Sequence, residues 1–199
     1  MEEKINIPEA LKLGVECQKL GKINFAKGIY EKILEVDPEN ANALHLLGLV
    51  FYNLKNYSLA AEKIEKAIRI KPNSALFFGN LGMVYNMLND EEKSVVNFLK
   101  ALEIDPYYKN AKLAYYNLGV YYKEKGELNK ALENYNKAIE IDSNFFDARW
   151  NRTLILLLLG DFENGWKDYE CRFKKNEPSD LRIFSKPKSR AVNRIIFRL

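Results

Sequence analysis

The stretch that decides the fold is YNLGVYYKEKGELNKALENYNKAIEID, residues Tyr116 to Asp142, because most of its pattern occurs again upstream. HLLGLVFYNLKNYSLAAEKIEKAIRIKP begins at His45, and GNLGMVYNMLNDEEKSVVNFLKALEIDP begins at Gly79. A weaker copy, LKLGVECQKLGKINFAKGIYEKILEVDP, begins at Leu11. A unit that recurs at one spacing predicts a repeat architecture instead of a single compact core.

The copies are spaced 34 residues apart, with one interruption. Two residue types recur at that spacing, namely Pro38, Pro72 and Pro106, and Gly14, Gly48 and Gly82. The next glycine of the series, Gly119, follows Gly82 after 37 residues, so three residues are inserted near Lys109 to Ala111. A fifth unit begins at Phe146 and has Thr153 where the glycine would fall.

These spacings divide the chain into a lead-in, five units and a tail. The lead-in is residues 1–6, the units are 7–40, 41–74, 75–108, 112–145 and 146–179, and the tail is 180–199. Each unit predicts two helices, for example Ala41 to Leu54 and Leu59 to Ile70. In the first three units the second helix ends before a proline, which lacks an amide hydrogen and disfavours helical geometry in the preceding residue.

One face of each helix carries the residues that we expect to pack. In the fourth unit these are Tyr115, Leu118, Gly119 and Tyr122 on the first helix, and Ala131, Tyr135 and Ala138 on the second. Their spacing puts each set on one helix face. A glycine in the middle of a helix costs roughly 1 kcal/mol relative to alanine. Its recurrence at one place in the unit therefore predicts a close helix crossing.

This alternation of small and large residues resembles the tetratricopeptide repeat family. The residues that carry the resemblance are Leu13, Gly14, Ala26, Tyr30 and Pro38 in the first unit, Leu47, Gly48, Phe51, Ala60, Ala67 and Pro72 in the second, and Leu81, Gly82, Tyr85, Phe98, Ala101 and Pro106 in the third. The resemblance implies an all-α fold, a right-handed α-solenoid of helical hairpins whose first helices line a concave groove. It also implies a protein-protein interaction scaffold that binds a peptide or protein segment in that groove.

A helical projection locates the face of each first helix that is opposite the packing stripe. At about 100° per residue, this face holds Asn80, Asn117 and Asn151 at equivalent places in three consecutive units. An asparagine amide can both donate to and accept from a peptide backbone. The row predicts a ladder that holds an extended partner chain, as in some members of the family. The alternative is that asparagine, which is common in this chain, is simply exposed there.

The same face carries aliphatic and aromatic side chains. The aliphatic row is Val15, Leu49, Met83, Val120 and Leu154, which predicts either contacts with a partner or packing between neighbouring first helices. Tyr116 and Trp150 add aromatic area, and such residues often anchor an interface. The candidate partner-binding residues are Asn80, Asn117, Asn151, Tyr116, Trp150, His45, Met83 and Val120.

Chaperone-binding members of the family clamp a carboxylate with polar residues at set places in the groove. The corresponding residues here are Leu11, Val15, Leu46, Leu76 and Asn80, of which only the asparagine matches. The comparison therefore implies a groove without that carboxylate clamp.

No pattern of catalytic residues accompanies the repeats. The chain has one histidine, His45, and two cysteines near opposite ends, Cys17 and Cys171. It contains no CxxC, HExxH, P-loop or GxGxxG motif, and GNLG at Gly79 lies inside a repeat helix. Cys17 falls in the packing stripe and is expected to be a small core residue. We expect no enzyme activity, no cofactor and no metal.

The end of the chain differs from its body. From Arg172 to Leu199, nine Lys and Arg residues outnumber two acidic ones, which leaves a charge of −3 on the rest of a chain whose total is +4. GDFENGWKDYECRF, from Gly160, resembles bacterial repeat proteins that continue into a glycosyltransferase-like domain. An alternative function is thus the N-terminal, substrate-presenting segment of a truncated glycosyltransferase.

Two further kinds of partner concern the C-terminal part of the chain. The basic residues of 180–199 suggest nucleic acid, but Phe184 and Phe197 form no recognisable stacking motif, so nucleic-acid binding is not expected. RTLILLLLG, from Arg152, is a candidate for end-to-end self-association. Residues 180–199 otherwise predict a partial cap or a tail.

The composition predicts a cytoplasmic protein without a membrane span. The longest apolar run, Leu154 to Leu159, is far shorter than the ~18 residues that a membrane helix needs. The first residues, MEEKINIPEA, lack the basic and apolar regions of a secretion signal. So few cysteines fit a reducing compartment.

Overall fold

A computed structural model describes residues 6–169, apart from the side chain of Asp168, and contains ten α-helices and no strand within them. The helices are α1 Ile7–Lys19, α2 Ile23–Val36, α3 Ala41–Asn53, α4 Tyr57–Ile70, α5 Ala75–Met87, α6 Glu91–Ile104, α7 Ala111–Glu124, α8 Leu128–Ile141, α9 Phe146–Leu158 and α10 Phe162–Tyr169. Two helices fall in each predicted unit. The expected all-α solenoid of helical hairpins is therefore confirmed.

The helices stack in chain order, and the stack curves. Each helix packs against the next one along the chain, and α1, α3 and α5 also contact the first helix of the following unit. Within residues 6–169, consecutive second helices make no contact of comparable extent. Because the first helices lie closer together, the array bends around them. We call the surface formed by α1, α3, α5, α7 and α9 the inner wall.

Polar caps and left-handed residues set the helix ends. The side chains of Asn6, Asn40, Asn56 and Asp90 each accept a hydrogen bond from the third amide of the helix that follows, which satisfies one unpaired donor. The turn inside each hairpin has one residue with positive φ. These residues are Gly21, Lys55, Asn89, Gly126 and Gly160. Their recurrence at the repeat spacing shows that one turn geometry is used throughout.

The glycines of the first helices lie at helix crossings, as predicted. A Cβ atom built on Gly48 would lie 2.5 Å from Cγ1 of Ile64, and one on Gly119 would lie 2.5 Å from Cε1 of Tyr135. On Gly82 it would lie 2.8 Å from the ring of Phe98. These partner side chains are fully buried, so each crossing is tight.

Two units build the crossing differently. In the third, buried Ser94 replaces the small alanine, and its hydroxyl donates to the backbone oxygen of Gly82 at 2.9 Å. In the fifth, buried Thr153 replaces the first-helix glycine, while the second helix carries Gly165, where a Cβ would lie 2.6 Å from Cδ2 of Leu157. The fifth unit therefore also has a glycine where its two helices come close together, but this glycine lies in the second helix.

The connection between α6 and α7, which contains the inserted residues, fills space in the core. Tyr108 is only 6% exposed, and its ring occupies the volume that a side chain at position 79 would take. Asn110, just before α7, donates from Nδ2 to Oδ1 of Asn80 at 3.2 Å. The ring of Tyr108 thus explains why the third unit has a second glycine, Gly79, three residues before the crossing.

Some sequence predictions fall outside residues 6–169. These are the lead-in before Asn6, the end of the fifth unit after Tyr169 and the tail 180–199, so the glycosyltransferase and nucleic-acid hypotheses are not tested by the structure. In the part of the chain that is described, no helix has the length and apolarity required to cross a bilayer.

Candidate protein-binding groove

An open cavity of about 470 Å³ lies at the N-terminal end of the inner wall, between α1, α3 and α5. Its aliphatic lining comprises Leu11, Val15, Leu46 and Leu76, all half-buried, and its floor is formed by His45 and Phe77. The rim carries Lys12, Glu16, Lys19 and Asn42. We call this cavity the apolar pocket.

The structure brings together the four aliphatic residues that occupy places of the carboxylate clamp in chaperone-binding members of the family. Leu11 and Val15 come from α1, Leu46 from α3 and Leu76 from α5. In the sequence, each of these residues stands where the clamp has a polar residue. In the structure, the four together form an apolar surface. Half-buried aliphatic side chains in a concavity favour an apolar ligand group, which would remove their remaining surface from water.

His45, predicted to contact a partner, is instead buried in the floor of the pocket and only 4% exposed. Its ring stacks on Phe77, with the centroids 4.3 Å apart and the planes at 21°. Nε2 lies 2.8 Å from Nδ2 of Asn80. Because an amide nitrogen only donates, the imidazole accepts this bond and is neutral. Burial lowers the pKa of His45 to about 4.

We predict that His45 titrates near pH 4 and not near its ordinary value of about 6.5. Because His45 is the sole histidine, its Cε1–H NMR resonance reports this pKa without ambiguity. Between pH 6.5 and 4 the unfolded chain binds the proton more readily than the folded one. The free energy of unfolding should therefore decrease as the pH is lowered from 6.5. At pH 4, the contribution of His45 to this decrease should be about 3 kcal/mol.

The matched variant for this prediction is His45→Gln, which has no titrating ring and keeps a group that accepts from Asn80. The free energy of unfolding of this variant should decrease less between pH 6.5 and 4 than that of the wild type, by the contribution of His45. Urea unfolding at each pH measures the difference. A folded-state pKa near 6.5 would show that the ring is not buried as described.

Asn80 is also buried, with 6% of its surface exposed, so its side chain is not free to bind the backbone of a partner. Its Nδ2 group contacts His45 of the preceding unit, and its Oδ1 accepts from Asn110 of the following one. The expectation that it faces a partner is corrected here, because adjacent repeats use both ends of the amide.

Asn117 and Asn151 are half-buried and also bond between units. Asn117 donates to the backbone oxygen of Leu113 at 2.7 Å and accepts from Asn86 at 3.1 Å. Asn151 donates to the backbone oxygen of Asp147 at 3.0 Å and accepts from Nζ of Lys123, in the preceding unit, at 2.8 Å. The asparagine row therefore links successive first helices. Leu46 occupies the same place in the second unit, and there the wall opens into the apolar pocket.

The aliphatic row largely packs between helices. Leu49, Met83 and Val120 are partly buried against the core clusters, whereas Leu154 remains 38% exposed. Packing thus accounts for much of the row. Contact of Met83 and Val120 with a partner stays a prediction.

Tyr116 and Trp150 are half-buried on the inner wall. The Tyr116 ring centroid lies 5.1 Å from that of Phe145, and its hydroxyl oxygen lies 3.4 Å from Nδ2 of Asn151. Trp150 lies 5.6 Å from Tyr169 between centroids. Each aromatic ring leaves one part of its surface open to a partner.

Lys123 is a further inner-wall residue that sequence reasoning missed. It follows Val120 by three residues and so shares its helix face. Its half-buried amino group donates to Oδ1 of Asn151 at 2.8 Å, and burial lowers its pKa. The available signal was a lysine at the end of a row of otherwise uncharged groove residues.

Exposed apolar side chains gather at the last hairpin. They are Leu154, Leu158, Leu159, Phe162 and Trp166. The chain continues beyond this hairpin for 30 residues that the structure does not describe. End-to-end self-association through this face therefore stays a prediction.

Three family models match the sequence. Two described as tetratricopeptide repeat match residues 11–75 and 76–108, and one described as TPR repeat matches residues 121–160. The matches cover most of the first four units and the beginning of the fifth. The inserted residues lie in the gap between the second and third matches.

Solved structures of similar fold include a crystal structure of MamA, which is 27% identical; the alignment covers 82% of this chain and 94% of that chain, with a TM-score of 0.69. PilF of Pseudomonas aeruginosa is 22% identical, with 87% and 78% covered and a TM-score of 0.77. YrrB, described as a TPR protein with an unusual peptide-binding site, is 22% identical, with 84% of each chain covered and a TM-score of 0.65. The last two show likeness of fold alone. No curated protein sequence matches this chain.

Proposed function

Because the chain belongs to the tetratricopeptide repeat (TPR) family, we propose that it is a protein-interaction scaffold that holds a peptide or extended protein segment along its inner wall. The observation that carries this proposal is the apolar pocket, formed by half-buried residues of three successive first helices. The peptide-binding site described for YrrB, a protein of similar fold, agrees with it.

A protein segment suits the wall better than a small molecule does. The apolar pocket would take one large apolar side chain, because its lining is aliphatic and its rim is polar. The wall then continues past the pocket to Asn117, Tyr116 and Lys123, which present polar groups on α7. A ligand long enough to use both regions has alternating apolar and polar groups, as an extended polypeptide does.

Asn117 retains hydrogen-bonding capacity for a backbone. An asparagine amide has two N–H donors and two acceptor sites on its oxygen. One donor is used by Leu113 and one acceptor site by Asn86. Asn151 has less to offer, because its nitrogen is close to both the Asp147 backbone oxygen and the Tyr116 hydroxyl. We propose that Asn117 contacts the bound backbone directly and that Asn151 acts by supporting its neighbours.

The direct experiment is selection from a displayed library of random dodecapeptides on the purified chain, followed by calorimetry with the enriched peptides. We expect enriched peptides that share a large apolar residue and bind with micromolar affinity. Failure to enrich any peptide would contradict the proposed function.

We predict that Asn117→Ala weakens binding of a selected peptide by roughly 3- to 10-fold, because one buried hydrogen bond contributes about 0.5–1.5 kcal/mol. Asn151→Ala should weaken it less. The matched control is Asn134→Ala on α8, because Asn134 also donates to the backbone oxygen four residues before it. Circular dichroism should show equal helicity in all three variants. Equal loss of affinity in Asn117→Ala and Asn134→Ala would refute a specific role for Asn117.

A further inference from the structure

We infer that the inner wall between α7 and α9 receives a carboxylate of the bound segment, with Lys123 as its cationic partner. This inference rests on the proposed function and specifies it. It gives the ligand two required features, an apolar side chain for the pocket near α1 and an acidic group further along the wall.

The amino group of Lys123 makes no close ion pair with the carboxylates that the structure describes, and only the more distant carboxylate of Glu124 acts on it electrostatically. It donates to the neutral amide oxygen of Asn151 at 2.8 Å, and within residues 6–169, leaving aside the side chain of Asp168, no carboxylate lies within 4 Å of it. The lysines at the two ends of α7 differ, since Lys112 in its first turn pairs with Asp142 at 2.6 Å and Lys125, just after its last residue, pairs with Glu91 at 3.4 Å. An ammonium group has three donors, so two remain for a ligand.

The surroundings hold Lys123 in place along the wall. Asn151 receives its bond and is itself fixed by the backbone oxygen of Asp147 at 3.0 Å. Glu124, the next residue in α7, is exposed and makes no ion pair with it within 4 Å. A half-buried charge has lost part of its hydration, and a ligand carboxylate would compensate for that loss.

General electrostatic attraction does not account for an acidic ligand. The chain before Arg172 carries a net charge of −3, so an acidic peptide is not drawn to the repeat array as a whole. Any preference for acid should therefore depend on particular lysines. This makes single-lysine variants informative.

The test is a double-substitution cycle with a peptide from the dodecapeptide selection. Each acidic residue of the peptide is changed to its amide, Asp to Asn or Glu to Gln, and each version is titrated into the wild type and into Lys123→Gln. One amide change should weaken binding to the wild type by roughly 3- to 10-fold and leave binding to Lys123→Gln unchanged. Lys137→Gln on α8, which alters the net charge equally, should behave as the wild type does.

Further arms separate the sources of the carboxylate and guard against misfolding. Peptides with a free or an amidated C-terminus show whether a side chain or the chain end supplies the group, and coupling to Lys123 in either case supports the inference. Lys123→Arg keeps the charge and should retain the preference for acid. If Lys123→Gln loses helicity, Lys123→Arg and Lys137→Gln are compared instead by salt titration. In both variants, the preference for the acidic peptide over its amide version should weaken between 50 and 500 mM NaCl.

Three results overturn the inference. The carboxylate site would be refuted if the selected peptides showed no preference for acidic residues. It would also be refuted if an amide change reduced the affinity equally for the wild type and for Lys123→Gln. Either result leaves the proposed function intact. Failure of the wild type to bind any peptide would remove both.

Discussion

Gly119→Ala should lower the free energy of unfolding by roughly 1–3 kcal/mol, and Gly119→Leu by more. The added Cβ would lie 2.5 Å from Cε1 of Tyr135, a distance that requires the two helices or the ring to move. Tyr135 is fully buried in one cluster with Ala131 and Ala138, so movement of its ring would disturb the packing of that cluster. Urea unfolding followed by circular dichroism measures the change.

The matched control is Gly28→Ala in α2, where a Cβ would meet nothing within 4 Å. There the intrinsic preference of alanine for a helix should raise stability by up to about 1 kcal/mol. The same chemical change thus has opposite signs at two helical glycines. Stabilisation by Gly119→Ala would show that the hairpins do not cross where we describe.

Leu76→Arg should reduce the affinity of a selected dodecapeptide by about tenfold or more. Leu76 supplies α5's aliphatic contribution to the apolar pocket, and burial of a leucine-sized side chain is worth about 1.5–3 kcal/mol. The arginine also places a charge where the ligand's apolar group would lie. Isothermal calorimetry with the same peptide on both proteins gives the ratio.

Leu99→Arg is the control for this second prediction. Leu99 is 46% exposed on α6, a second helix, so the substitution makes the same chemical change outside the inner wall. Its affinity for the peptide should equal that of the wild type. If Leu99→Arg weakens binding as much as Leu76→Arg, the peptide binds elsewhere.

The hairpins could be predicted because their determinants are local. A proline ends each of the first three second helices, and a glycine such as Gly48 or Gly82 recurs where a neighbour must come close. These features depend on residues within one unit, so a single repeat contains the information. Repetition then gives the stacking, since each unit must bury its apolar face against the next.

The details of the inner wall depend on contacts between units, which a helical projection does not contain. It places Asn80 and His45 on the free face, but the two bond to each other across 35 residues of sequence and are buried. Tyr108 likewise reaches Gly79 from the connection between α6 and α7. The apolar pocket was present in the sequence only as four aliphatic residues at separate positions, and their proximity follows from the curvature of the array.

Methyl NMR of Leu- and Val-labelled protein titrated with a selected peptide shows whether the inner wall is the binding surface. We predict chemical-shift changes at Leu11, Val15, Leu46 and Leu76, and none at the exposed second-helix methyl groups of Val36, Val96 and Leu99. Changes confined to the second helices, with the pocket methyl groups unaffected, would contradict the account.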